Sequence, residues 1–140
     1  AYAAVIPKWI NSMLNLESIF INGDGETSRD FCYIENAIQL NLLAAISVKP
    51  DAINNVYNVA LNDRISLNNL YKLLRKNLSV CVDNLEFKEL VYRDFRDGDV
   101  RHSMADISKA VALLGYIPEY SAQKGLEKSI DWYINNNNKK

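Results

Sequence analysis

The chain has 140 residues, of which 49% are hydrophobic and 24% charged, a balance typical of one globular domain with its own hydrophobic core. Its formal net charge of -1 gives no global reason to expect a nucleic-acid or acidic-membrane partner. No stretch approaches the roughly 20 apolar residues that a membrane span requires. Residues 1–4 resemble neither a signal peptide nor a translation start, so we interpret the sequence as part of a longer protein.

The first half of the chain predicts two helices and two short strands. Pro7 fits the first turn of a helix that runs to about Asn15, because its missing N–H costs nothing there. Residues 19–21 and 31–34 are predicted strands, separated by a glycine-containing turn. The helix predicted over 35–48 is apolar on most sides, and such a helix is normally buried on most sides. We therefore expect a partner outside this sequence to cover it.

The second half predicts two more strands and three helices. Residues 56–60 and 87–92 have the composition of strands. Ser66 fits the N-cap of an amphipathic helix, and Asp106 that of another, which ends before Gly115 and Pro118. A last helix is expected over 121–134, followed by a disordered polar tail over 135–140. The predicted inward residues of the two capped helices are Leu67, Leu70, Tyr71, Leu74 and Leu78 in the first, and Ile107, Ala110, Val111 and Leu114 in the second.

Two loops, residues 23–30 and 93–103, concentrate the polar side chains. Arg29 and Arg96 each stand beside an aspartate, and the planar guanidinium fork matches phosphate oxygens. One interpretation is a clamp for a diphosphate. The other is local Arg–Asp ion pairing at the surface, which spacing alone favours.

Two short patterns imitate known motifs, and we reject both. The Gly23-Asp24-Gly25 turn lacks the third glycine of a dinucleotide-binding G-x-G-x-x-G, and the strand before it leads to another strand rather than to a helix. Tyr120 and Lys124 have the spacing of a Tyr-x-x-x-Lys proton-transfer pair. No dinucleotide fold precedes them, so this spacing is interpreted as a chance match.

The remaining reactive side chains give no catalytic or metal site. His102, the single histidine, is expected to pack or hydrogen-bond locally. Cys32 and Cys81 are predicted to be free thiols, and Cys32 to be buried, because neither paired spacing nor a secretory signal is present. Metal-ligand spacing and nucleophile motifs are absent from the sequence.

Four segments together resemble the C-terminal half of extended short-chain dehydrogenase/reductase epimerases, above all bacterial UDP-N-acetylglucosamine 4-epimerases. They are AAVIPK at 3–8, IFINGDGETSRDFCYI at 19–34, VYNVA at 56–60 and GDVRHS at 98–103. The ending, residues 106–118 and 125–133, resembles the same family. The resemblance implies an α/β fold with short strands and four to five helices, in which residues 1–134 form a nucleotide-sugar-binding domain without the Rossmann half.

The resemblance also implies roles for ten substrate-binding residues. Arg29 and Arg96 would clamp the diphosphate, and Asp99 would accept hydrogen bonds from the ribose. Ser103 matches a position where the family has either tyrosine or a small residue, and a small residue leaves room for an N-acetyl group. The residues along the uracil and the floor of the site would be Phe20, Ile21, Asn22, Ala4, Val5 and Pro7.

The whole protein implied by the resemblance is a cytoplasmic, homodimeric, NAD-dependent UDP-N-acetylglucosamine/UDP-glucose 4-epimerase of surface-polysaccharide synthesis, with UDP-N-acetylglucosamine and UDP-N-acetylgalactosamine as its substrate pair. In that family NAD and the catalytic Ser/Thr, Tyr and Lys belong to the N-terminal Rossmann half, which would cover the helix over 35–48. The chain alone is therefore expected to bind no NAD and to be inactive. A dehydratase or decarboxylase of the same family, and a non-catalytic nucleotide-sugar-binding module, are the alternatives.

Overall fold

The computed structural model describes residues 4–137, which contain five α-helices and four short strands. The predicted α/β class is therefore confirmed. In chain order the elements are α1 (Val5–Leu14), β1 (Ile19–Asn22), β2 (Ser28–Arg29), α2 (Ile34–Ile46), β3 (Ile65–Ser66), α3 (Leu67–Cys81), β4 (Leu90–Arg93), α4 (Ser108–Leu114) and α5 (Ala122–Asn137), with a 3-10 turn at Pro50–Ala52.

The described part of the chain divides into two compact units. The first unit contains residues 4–27, Ser66–Arg101 and residues 126–137. The second contains Ser28–Ile65 and His102–Gly125. The apolar pattern identifies the buried face of each element, but it does not show which elements share a core.

The first unit is built on β1 and β4, which pair in parallel from Ile19 opposite Leu90 to Asn22 opposite Arg93. The pairing continues past the strands, because the Gly23 N–H donates to the Arg93 carbonyl oxygen at 2.8 Å. Helices α1 and α3 pack in the same unit, and the ring of Trp9 meets that of Tyr71 edge-on. Parallel strands end at the same edge of a sheet, so the loops that follow β1 and β4 begin side by side.

Helix α3 follows its predicted pattern closely. Ser66 caps it, since the Ser66 hydroxyl accepts the Asn69 N–H at 3.3 Å. Its inward residues Leu70, Leu74 and Leu78 are completely buried. The preceding β3 forms with β2 the other two-stranded sheet.

The second unit has a separate hydrophobic core. The N-cap of α4 is Ile107 and not Asp106 as predicted, although the side chain of Asp106 accepts the Ser108 N–H at 2.8 Å. Val111, predicted to face inward, is 44% exposed, because the short α4 buries a face narrower than its apolar pattern indicates. The residues of this core are Leu40, Ala52, Ala60, Ile107, Ala110, Leu114 and Tyr116.

Helix α2 exposes apolar side chains along one line, as the sequence predicts. Ile34, Ile38, Leu42 and Ile46 are each at least half exposed. Their spacing of four residues places them on one face of the helix. Only Asn36 and Leu40 are buried on this helix. We call the four exposed residues the α2 stripe.

Two predicted strands are wrong. Residues 31–33 and 56–60 have no regular hydrogen bonding, and Val56 is 85% exposed. A strand needs a neighbouring strand for its backbone groups, and residues 4–137 provide none for these segments. The predicted strand over 87–92 is shorter, because only Leu90–Arg93 pairs with β1.

The end of the chain is more helical than predicted. Helix α5 continues to Asn137, whereas the sequence predicts a disordered tail from residue 135. The rest of the predicted tail, residues 138–140, lies outside the described residues. No helix of residues 4–137 has the length and apolar character to cross a bilayer.

Candidate functional site

The turn after β1, residues 23–26, is held by side chains of the first unit. The Asp24 Oδ1 atom accepts the Glu26 N–H at 2.9 Å. Asn68, in the first turn of α3, donates from Nδ2 to the Asp24 carbonyl oxygen at 3.0 Å and to a Glu26 carboxylate oxygen at 2.7 Å. The Tyr92 hydroxyl in turn donates to Asn68 Oδ1 at 2.8 Å. The turn is thus fixed against α3 and β4 by a polar network.

The glycines of this turn do not form an open phosphate cradle. A Cβ on Gly23 would overlap the ring of Phe95, and a Cβ on Gly25 would overlap the side chain of Asn68. The glycines of a dinucleotide site instead let a pyrophosphate approach the backbone at the beginning of a helix. Here the close approach is taken by protein side chains, and the next regular element is the strand β2. The rejection of the dinucleotide motif is confirmed.

The loop after β4 presents Arg96 and Asp99, which are both exposed. The Asp99 N–H donates to the Arg96 carbonyl oxygen at 3.2 Å, which closes a turn between them. Arg96 forms no ion pair with any of residues 4–137. Arg101 of this loop does form an ion pair, since its Nη2 lies 2.6 Å from Asp24 Oδ2. Surface pairing therefore occurs, but at an arginine that the sequence analysis did not select.

The Asp24–Arg101 pair also changes the electrostatics of the turn. The hydrogen bond from the Arg101 guanidinium lowers the pKa of the Asp24 carboxyl below its usual value, and the Glu26 N–H acts in the same direction. Because both groups are roughly half exposed, solvent screens the pair and it contributes little to folding. Asp24 is a carboxylate at neutral pH.

Phe20 lines an open groove of about 630 Å³, together with Arg93 and Trp9. The Arg93 guanidinium stacks over the Phe20 ring, 3.4 Å from its centroid. Sequence reasoning missed Arg93, although its place at the end of a predicted strand, next to a polar loop, is the signal that would have identified it. Ile21, predicted to lie along a ligand, is completely buried, because successive strand side chains alternate between faces. Only its backbone can face a ligand, whereas Asn22 is exposed.

The predicted floor residues lie at the beginning of α1. Ala4 is exposed, and Val5 and Pro7 are half-buried. Pro7 is the third residue of the helix, as its predicted position in the first turn requires. Pro7 lines a groove of about 480 Å³ together with Trp132 and Tyr133 of α5. None of the other predicted site residues lines this groove.

The second unit brings Arg29 and Ser103 onto neighbouring backbone segments. Ser28 forms a parallel bridge with His102, and the Ser103 N–H donates to the Ser28 carbonyl oxygen at 3.1 Å. The same carbonyl accepts Nη1 of Arg29 at 2.8 Å. The Ser28 hydroxyl and His102 Nδ1 are hydrogen-bonded at 2.8 Å, so the predicted local role of His102 is confirmed.

A buried polar cluster lies behind these segments in the second unit. Burial raises the pKa of Tyr116 to about 12, and the nearby Cys32 and Asp30 act in the same direction. The Tyr116 hydroxyl donates to the Ala60 carbonyl oxygen at 3.1 Å. Burial also raises the pKa of the Cys32 thiol, which is free and only half-buried. A thiol with a raised pKa is a poor nucleophile at neutral pH, so this cluster is structural.

Tyr120 and Lys124 do not form a helical proton-transfer pair. Helix α5 begins at Ala122, so Tyr120 precedes it. The Tyr120 carbonyl oxygen accepts a hydrogen bond from Asn36 Nδ2 at 2.7 Å. The Tyr120 N–H donates to Asn36 Oδ1 at 3.1 Å. The interpretation as a chance match is supported. Among residues 4–137, no three histidine, cysteine or acidic residues are grouped as metal ligands.

Comparison with known proteins identifies relatives along nearly the whole chain. The family described as NAD dependent epimerase/dehydratase matches residues 1–60. A putative UDP-glucose 4-epimerase of Methanocaldococcus jannaschii is 32% identical over 96% of this chain and 40% of its own length. The UDP-glucose 4-epimerase of Thermotoga maritima, solved with UDP-glucose, has a TM-score of 0.82 at 33% identity and matches 97% of this chain and 41% of its own. The UDP-N-acetylglucosamine 4-epimerase of Methanobrevibacter ruminantium, in complex with UDP-N-acetylmuramic acid, has a TM-score of 0.81 at 37% identity, over 96% and 40%.

The chain spans about 40% of the length of each of these relatives. It corresponds to the C-terminal part of the extended short-chain dehydrogenases/reductases. It belongs to the NAD dependent epimerase/dehydratase family. The family description implies NAD, yet the filled turn at Gly23 and Gly25 shows that these residues do not fit its phosphates.

Proposed function

We propose that this chain binds the nucleotide-sugar substrate of an NAD-dependent UDP-sugar 4-epimerase. The observation that carries the proposal is Arg96, an exposed arginine that forms no ion pair within residues 4–137. It lies on the loop after β4, beside the end of β1 that bears Asn22. The two solved relatives above are named for UDP-sugar 4-epimerisation and contain UDP-sugars. A diphosphate is the part of such ligands that a guanidinium recognises best.

The proposed roles follow from side-chain chemistry and, for Phe20, Asn22, Arg96 and Asp99, also from exposure. Arg96 and Arg29 bind the diphosphate, and Asp99 accepts hydrogen bonds from the ribose. Phe20 offers an aromatic face to the uracil beside Arg93, whose guanidinium already covers part of the ring. Asn22 contributes its side chain, Ile21 only its backbone, and Ala4, Val5 and Pro7 remain proposed floor residues.

Ser103 is the proposed specificity residue. The Ser103 N–H donates to the Ser28 carbonyl oxygen. The backbone therefore cannot move freely to relieve the crowding that a larger side chain would cause. The small side chain leaves room for an N-acetyl group on the second carbon of the sugar. We therefore propose UDP-N-acetylglucosamine and UDP-N-acetylgalactosamine as substrates, with a role in surface-polysaccharide synthesis.

The remainder of the longer protein has a separate task in this proposal. NAD and the proton-transfer residues belong to its Rossmann half, and the residues of this chain bind and orient the sugar nucleotide. The α2 stripe is the proposed contact with that half, because Ile34, Ile38, Leu42 and Ile46 are exposed apolar side chains in one line and patches of this kind mark interaction sites. The homodimer also belongs to this proposal.

The test is titration calorimetry of UDP-N-acetylglucosamine and UDP-glucose with the full-length protein. Arg96→Ala should weaken binding of both by roughly 10- to 150-fold, since a charge-assisted hydrogen bond contributes about 1.5–3 kcal/mol. Arg96→Lys should also weaken it, because a point charge does not reproduce the fork. Arg64→Ala, which removes an exposed arginine with no proposed role, is the matched control. Equal affinity of the Arg96→Ala and Arg64→Ala proteins would contradict the diphosphate assignment.

A second experiment tests the sugar. Ser103→Tyr should fill the acetamido space, so turnover of the acetylated pair should fall far more than turnover of UDP-glucose and UDP-galactose. The diphosphate contacts are unchanged in this variant, so its affinity for UDP should stay at the wild-type value. An equal loss of turnover for both pairs would make Ser103 merely structural.

A further inference from the structure

Arg101 joins the exposed loop after β4 to the turn after β1. Residues 94–101 are all exposed, so little hydrophobic burial holds their conformation. The Arg101 guanidinium pairs with Asp24 at 2.6 Å and lies over the Phe95 ring, 5.4 Å from its centroid. The Phe95 ring occupies the space where a side chain at Gly23 would stand. One guanidinium thus holds both ends of the loop against one turn.

The Asp24 end of this contact is itself fixed. Its Oδ1 atom accepts the Glu26 N–H, and its carbonyl oxygen accepts Nδ2 of Asn68. The Oδ2 atom is therefore presented to Arg101 by a carboxylate that is already oriented. An anchor of this kind restricts the partner loop more than a pair of two mobile side chains does, because less conformational entropy is lost when the contact forms.

We propose that Arg101 is a positioning residue, which holds the loop 94–101 in the conformation where Arg96 and Asp99 bind the substrate. This inference rests on the proposed function of Arg96. Arg101 acts through Asp24 and Phe95 and does not touch the ligand. A guanidinium is suited to this role because its plane stacks on an aromatic ring while its edge pairs with a carboxylate.

The expected effect is on affinity. An exposed ion pair adds little to folding stability. If loss of the pair lowers the population of the binding-competent loop to between a third and a tenth, the apparent affinity for a ligand falls by roughly three- to tenfold. If Arg101 instead contacted the phosphates directly, Arg101→Ala would cause a similar loss of affinity. Its partner Asp24 must therefore be varied as well.

A double-mutant cycle on the full-length protein separates the two roles, with UDP as the probe. Asp24→Asn keeps the oxygen that accepts the Glu26 N–H but removes the charge that faces Arg101. Arg101→Ala, Asp24→Asn and the double variant should each bind UDP roughly three- to tenfold more weakly, with no further loss in the double variant. The thermal midpoint should stay at the wild-type value, and Arg101→Lys should restore only part of the affinity. A normal affinity of Asp24→Asn, or losses that multiply in the double variant, would overturn the positioning role.

Hydrogen exchange without ligand tests the loop directly and keeps this inference distinct from the proposed function. The Asp99 N–H, which donates to the Arg96 carbonyl oxygen, should lose protection in Arg101→Ala and in Asp24→Asn and keep it in Arg64→Ala. Unchanged protection in both variants would overturn the inference, even if UDP binds normally. If wild-type protein does not bind UDP, the proposed function fails while the exchange result still decides the role of Arg101.

Discussion

Replacing Gly25 by alanine should destabilise the protein much more than replacing Gly98 by alanine. The two glycines have nearly the same backbone, with φ of +78° at Gly25 and +77° at Gly98. An alanine in this left-handed region costs roughly 1–2 kcal/mol at either position. The surroundings differ, because a Cβ at Gly98 meets nothing within 4 Å while a Cβ at Gly25 overlaps Asn68.

The additional cost at Gly25 comes from the hydrogen bonds of Asn68. To make room, Asn68 must give up its contacts with the Asp24 carbonyl oxygen, the Glu26 carboxylate and the Tyr92 hydroxyl. At about 0.5–1 kcal/mol for each exposed hydrogen bond, the loss is about 1.5–3 kcal/mol. Gly25→Ala should therefore cost about 2.5–5 kcal/mol, and Gly98→Ala about 1–2 kcal/mol.

Urea unfolding followed by circular dichroism measures both values, with a constant m value as the check on two-state comparison. Adding Asn68→Ala should have almost no further cost in the Gly25→Ala protein, because the same hydrogen bonds are already lost. Equal costs of Gly25→Ala and Gly98→Ala, or full additivity with Asn68→Ala, would refute the packing argument.

Three further predictions concern the second unit. Asn36→Ala should lower the free energy of unfolding by about 2–4 kcal/mol, since the completely buried Asn36 side chain makes three hydrogen bonds to the backbone of Glu119 and Tyr120; a loss below about 1 kcal/mol in urea unfolding would contradict this. The raised pKa of Tyr116, about 12, means that the unfolded chain loses this proton near pH 10 and the folded chain later. Stability from this group is therefore complete below pH 10 and is lost as the pH rises towards 12, and Tyr116→Phe should remove that part of the alkaline decline in melting temperature. The isolated 140-residue chain should self-associate through the exposed α2 stripe, and Leu42→Gln should reduce this association in sedimentation experiments; unchanged association would exclude the stripe as its cause.

The helices could be predicted because their information is local. The spacing of Leu70, Leu74 and Leu78 gives the buried face of α3 without knowledge of its partners, and Ser66 satisfies an N–H only three residues away. The apolar excess of residues 35–48 likewise predicted apolar surface that this chain leaves exposed, but the single face that it occupies on α2 is seen only in the structure. The concentration of polar side chains over residues 23–30 and 93–103 located the two loops, because turns depend on residues close in sequence.

Strands and side-chain partners were decided only by the tertiary structure. Residues 56–60 have the composition of a strand but no neighbour to pair with in residues 4–137, whereas Leu90–Arg93 is a strand because β1 lies beside it. The sequence shows Arg29, Arg96 and Arg101 as similar loop arginines. Only the fold brings Asp24 within 2.6 Å of Arg101, across a separation of 77 residues. The physical reason is that hydrogen bonding between strands and pairing of charges depend on distance in space, while composition and periodicity report only neighbours along the chain.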